Sequence, residues 1–395
     1  DADSTVTSLS VANITPVAIA SGSSLSGGIT VTAGSLKLTE TGTLASSISM
    51  SGGTLDADNS LTVSGALTHT GNITIDVAET KTLTYTGTAI SLGANTLTLT
   101  GGGSLVSGGL TLNDPSSMLL LNSITVDSVS TSADSSSGGL DVDDNSTVSS
   151  LSVAHITPVS IASGKTLSGA ITVTAGSIKL DDTGTLASSI SMSGGTLDAD
   201  NSLTVSGALT HTGNITIDVA ETKTLTYTGT AISLGTHTLT LSGGGTFVSG
   251  GLDLDNANSK LLLSSITVDN VSTSVDNSLG LDVDDDSTIT SLSVAHTTPV
   301  SIASGKTLSG AITVTAGSIK LAETGTLASS ISMSGGTLDA DNSLTVSGTL
   351  TQSGAITIDV ADNKTLTYSG GNLNVGSHTL SIGGAGTFSN ATGSP

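Results

Sequence analysis

Two short stretches crowd hard oxygen donors around one bend: LDVDDNST at 140–147 and LDVDDDST at 281–288. Carboxylates are the ligands calcium takes, in shells of roughly six to eight oxygens. Asp141, Asp143 and Asp144, with Asp282, Asp284, Asp285 and Asp286, are therefore the candidate Ca²⁺ ligands of the chain. Neither EF-hand spacing nor a GGxGxD nonapeptide accompanies them. Asp and Asn also form turns by bonding to their own backbone. Two exposed carboxylates ~5 Å apart repel by only about 0.8 kcal/mol in water, so a solvated turn holds such a cluster without a metal. The turn reading is the favoured one, and no other cofactor is indicated. A third passage, GGTLDADNSLTVSG at 52–65, returns letter for letter at 194–207 and 335–348.

The other chemistry-bearing side chains are six histidines and nine basic residues, every one of them lysine. His69 and His211 occupy one repeat position, His155 and His296 a second, His237 and His378 a third. The remaining copies place Gln352, Asn13 and Asn95 there. A metal ligand or a catalytic base does not exchange with Asn or Gln between copies. The histidines are thus expected to be exposed polar side chains. A site cutting acidic polysaccharides would present acids beside Arg or Lys, with aromatic platforms. With no Arg, and Tyr and Phe together numbering five, no catalytic residue is assigned and no enzyme is expected.

The elements that must carry these residues follow from repetition, which is read before anything else. SLSVANITPVAIASG from Ser8 recurs as SLSVAHITPVSIASG from Ser150 and SLSVAHTTPVSIASG from Ser291, at offsets of 142 and 141 residues. The chain divides into copy one at 1–142, copy two at 143–283 and an incomplete copy three at 284–395. Within each copy, short alternations such as Ile73-Thr-Ile75, Leu83-Thr-Tyr85 and Leu97-Thr-Leu99 predict strands with one buried face. Gly-Gly, Ser-Gly and Asp-Asn turns separate them, and no window shows a helical period. The units run to roughly 17–28 residues, about seven to a copy. The expected fold is all-β: a parallel β-solenoid (β-helix) of about twenty coils, stacked as one continuous solenoid ~95 Å long. A string of immunoglobulin-like sandwiches is the alternative, but such cores lean on buried aromatics.

Segments such as NTLTLTGGGSLVSGGLTL (95–112), KTLTYTGTAISLG (81–93) and HTLSIGGAGTFSN (378–390) give the chain its texture. In this it resembles the passenger regions of bacterial autotransporter and filamentous-haemagglutinin-type surface proteins. The resemblance implies an exported right-handed parallel β-helix that serves as an adhesin or surface fibre.

A formal charge of −23 excludes the basic footprint that nucleic acid requires and disfavours anionic membrane surfaces. No apolar run reaches the ~18 residues of a membrane span, so no membrane insertion is expected in this segment. The start at Asp1 is read as that of a processed or excised segment. Sequons at Asn13, Asn72, Asn145, Asn214, Asn270, Asn363 and Asn390 are read as products of an Asn-, Ser- and Thr-rich composition. The expected function is a structural subunit of an extracellular cell-surface fibre. It would assemble head to tail through unpaired strand edges, a contact that propagates instead of closing. The expected partners are further copies of the chain, with cell-surface or matrix polysaccharide as an adhesive target. The alternatives are a non-polymerising stalk of a giant adhesin, a polysaccharide-binding solenoid, and an ice-binding solenoid. The last would use Thr-x-Thr pairs such as Thr68–Thr70, Thr82–Thr84 and Thr96–Thr98, provided they share one regular face.

Overall fold

Alternation of apolar and small polar residues has the consequence expected of it. In Thr54–Ala57, Leu61–Val63 and Ile73–Val77 the Leu, Ile, Val and Ala side chains are buried while their neighbours point outward. A computed structural model describes residues 2–391. Its strands pair in parallel, turn upon turn, and no helix interrupts them among the described residues. The chain is a parallel β-solenoid of about 19 turns. Its contacts separate two units, Asp1–Ala208 and Leu209–Pro395, with the boundary inside the second sequence repeat.

In the first unit, one sheet takes a single strand from each turn. Its register stacks Leu36 on Leu55, then Ile75, Leu99, Leu121, Val142 and Ile161. Each of these is at most 3 % exposed. Burying one such side chain is worth about 1.5–3 kcal/mol, and a lone turn cannot achieve it because its inward face has no second layer. Stacking neighbours supply that layer. The second unit repeats the arrangement through Ile217, Leu241, Leu263, Val283 and Ile302.

The other sheet takes two short strands from some turns, such as Leu61–Val63 and Leu67–His69, and one long strand from others, such as Ser146–Val153. The long strands are kinked: the register between Ser146–Val153 and Thr166–Val173 shifts between Val148 and Leu151. Gly169 sits at that kink with φ +123°, and a Cβ there would lie 1.8 Å from the Val148 carbonyl oxygen. No side chain fits, and Gly27 and Gly310 hold the same place in the other copies.

The passage repeated three times is a strand, a bend and a strand, Thr54–Ala57 and Leu61–Val63 flanking Asp58–Ser60. At its bend Asn59 donates a side-chain N–H to the Thr39 carbonyl one turn away, as Asn201 does to Asp181 and Asn342 to Ala322. The passage is a structural part that ties one bend to the next. Of the five aromatics, Tyr85, Tyr227, Tyr368 and Phe247 are buried and Phe388 is half-buried. The slender interior has room for the three tyrosine rings where Gly87, Gly229 and Gly370 carry no side chain against them.

Candidate functional surfaces

The acidic turns are built as ladders of ion pairs across turns. Asp144 accepts from Lys165 Nζ at 2.8 Å and Asp285 from Lys306 Nζ at 2.7 Å. The Lys306 ammonium, with the Asp286 N–H and the Ser265 hydroxyl, holds the Asp285 carboxyl down at about 2. Asp144 is lowered by Lys165 and the Asn145 N–H. Asp286 accepts the Thr307 N–H at 2.7 Å. Asp282 pairs with Lys260 at 2.7 Å, whereas Asp141, its counterpart, faces a turn carrying Met118 instead of lysine. Burial, with Asp143 and Asp182 adding to it, pushes the Asp141 carboxyl up. Asp143 is exposed at the bend. Among the described residues no group of three or more His, Cys, Asp or Glu is gathered as a metal ion would require. The seven acids share two bends in sequence, but lysine takes up three of them.

Of the histidines, expected to be exposed polar side chains, His378 is exposed, whereas the other five are half-buried. His155 and His296 face Asp134 and Asp276 at 3.4 and 3.9 Å. His69 and His211 are half-buried, and each places both ring nitrogens against carbonyl oxygens, one of them a turn away. The exchange of His for Gln or Asn between copies is read as evidence against a catalytic demand. It does not exclude a bridging one, because Gln and Asn also carry a side-chain N–H. The sequon residues Asn72, Asn145 and Asn214 are similarly employed, accepting the backbone N–H groups of Thr96, Thr166 and Thr238 a turn away.

The Thr-x-Thr pairs do not share one face: Thr96 and Thr98 lie on the one-strand sheet, and Thr82–Thr84 and Thr68–Thr70 on different ladders of the other. A hydroxyl row nevertheless exists. In the first unit the register aligns Ser10, Thr30, Ser49 and Thr68, and then Ser91, Thr111, Ser130, Ser152, Thr172 and Ser191. In the second it aligns Ser272, Ser293, Thr313, Ser332 and Thr351. Most of these side chains are exposed and none is charged. Strand geometry spaces successive members ~4.8 Å apart. The signal in the sequence is a Ser or Thr directly beside an inward Ile, Leu or Val; it is easily missed because Thr is also an ordinary strand residue.

The second unit also carries an open groove of ≈ 790 Å³ at a bend, floored by Gly243 and Gly244 and walled by Glu221, Ser265 and Asp286. No family model, no curated protein and no solved structure matches the chain.

Proposed function

We propose that the chain is a structural segment of an extracellular cell-surface fibre, extended by head-to-tail stacking of solenoid turns and with an adhesive role at its outer faces. The observation that carries this reading is where the repeat copies differ. Inward positions exchange only within their class: Leu36 for Ile178 and Ile319, Val6 for Val148 and Ile289, Leu105 for Phe247. Outward positions exchange across classes: Thr39 for Asp181 and Ala322, Met118 for Lys260, Asn13 for His155. What is kept is the capacity of one turn to cover the next. A parallel ladder forms the same bonds whether the next strand comes from its own chain or another's, which is what polymerisation asks of it. Sedimentation velocity over a concentration series tests this. Growth of the sedimenting species with concentration supports stacking, and a single unchanging species sinks it in favour of a stalk.

The in-register hydroxyl rows favour one second reading, an ice-binding face. It predicts thermal hysteresis in a purified solution, lost on Thr111→Lys, which places a charge inside the row. Freezing and melting points that coincide in the unaltered protein would remove this reading.

A further inference from the structure

The backbone ladder of the two-strand sheet is interrupted after Leu67–His69 and again after Leu209–His211, and side chains close the gap. Leu67–His69 pairs with Ser47–Met50 on one side, and Ile90–Ser91 pairs with Leu110–Leu112 on the other. No ladder pairing joins Leu67–His69 to Ile90–Ser91, nor Leu209–His211 to Ile232–Ser233, among the described residues. At this seam the Leu67 N–H donates to the Tyr85 hydroxyl at 3.1 Å instead of to a carbonyl, and Leu209 and Leu350 do the same to Tyr227 and Tyr368. These are the three tyrosines of the protein. Gly87 and Gly229 make room for the hydroxyl: a Cβ on either would lie 2.1 Å from it.

The second clasp is His69, whose Nε2 lies 3.0 Å from the Ser91 carbonyl across the seam and whose Nδ1 lies 3.2 Å from the Gly71 carbonyl. His211 repeats this with Ser233 at 3.0 Å and Gly213 at 3.1 Å. Carbonyl oxygens only accept. A neutral imidazole has one N–H and so leaves one nitrogen lone pair facing an oxygen; imidazolium donates at both nitrogens. In the third copy Gln352 Nε2 donates to the Val375 carbonyl at 3.0 Å, the same clasp without a titrating group.

We propose that each seam is a preset opening line of the solenoid, closed by tyrosine and histidine, and drawn tighter when His69 and His211 are protonated. Protonation adds a charge-assisted bond at each ring, so the clasp is firmer with imidazolium than with the neutral ring. The charged surroundings differ between the two. Beside His211 stand His237, its ring centroid 5.7 Å away, and Asp255, which binds Ser233 and the Gly235 N–H. The corresponding places near His69 hold Asn95 and Asn113, so His69 is the cleaner switch. This inference stands whether or not the chain polymerises.

Residue-resolved amide exchange on the full chain tests it, each amide being compared with an unstructured chain at the same pH. From pH 8 to pH 5 the protection of the Leu67 amide should rise at least about threefold, the yield of one modest hydrogen bond. Leu350, clasped by Gln352, should not follow. His69→Gln should give Leu67 the flat profile of Leu350, and Tyr85→Phe should speed Leu67 exchange at every pH. Equal pH profiles at Leu67 and Leu350 would overturn the proposal. So would a pH dependence that survives His69→Gln, or a Leu67 amide indifferent to Tyr85→Phe.

Discussion

Asp141 and Asp282 occupy the same place in successive copies, yet one has a lysine across the turn and the other does not. Burial raises the Asp141 carboxyl, which means that its charged form is penalised in the folded chain. Met118→Lys would supply the partner that Lys260 gives Asp282. It should stabilise the first unit by up to about 1 kcal/mol, seen as a higher melting temperature near pH 7. Asp285 works in the opposite sense. Its carboxyl is lowered to about 2 from an ordinary 3.8, so its contribution is present above about pH 4 and is lost as the pH falls through about 2. The melting temperature of Asp285→Asn should therefore lie below that of the unaltered chain at neutral pH, by a margin that shrinks as the pH falls from about 4 towards about 2. A gap of the same size at about pH 7 and about pH 2 would mean that the residue acts by something other than its charge. The ion pairs themselves were not legible, because a sequence shows which acids are neighbours along the chain, not the lysine about 21 residues on that lies beside them.

Strand by strand, the solenoid was legible because its period-two alternation and its turn residues agree, and because each copy repeats both. The bend at Asp58–Ser60 and the inward Leu55, Ala57, Leu61 and Val63 could be read directly from the passage that contains them. Two features could not. The kink between Ser146–Val153 and Thr166–Val173 involves Gly169, whose role appears only once the Val148 carbonyl is seen against it. The seams likewise depend on a tyrosine and a histidine 16 residues apart, Tyr85 and His69, meeting across a turn. Gly169→Ala tests the first. It forces a side chain into a left-handed conformation and onto a carbonyl, and should cost at least about 1–3 kcal/mol. The same change at Gly164, also left-handed but with open space around its Cβ position, should cost less. Similar losses from both, measured by denaturant melts, would show that conformation alone matters and that the close approach does not.

At the scale of the whole molecule, the copies preserve the inward side chains that let one turn cover the next and let the outward ones drift. Such a chain is suited to being extended, and the claim that its turns stack end to end between molecules is the centre of the account. A net charge of −23 opposes side-by-side clumping of copies, so growth should be along the stacking direction and should quicken when salt screens the repulsion. The most direct measurement is electron microscopy of the purified chain across a range of concentrations. The account predicts uniform threads that lengthen as concentration rises. Isolated particles of one size at every concentration would contradict it, leaving the solenoid as a spacer whose neighbours must be supplied by other polypeptide.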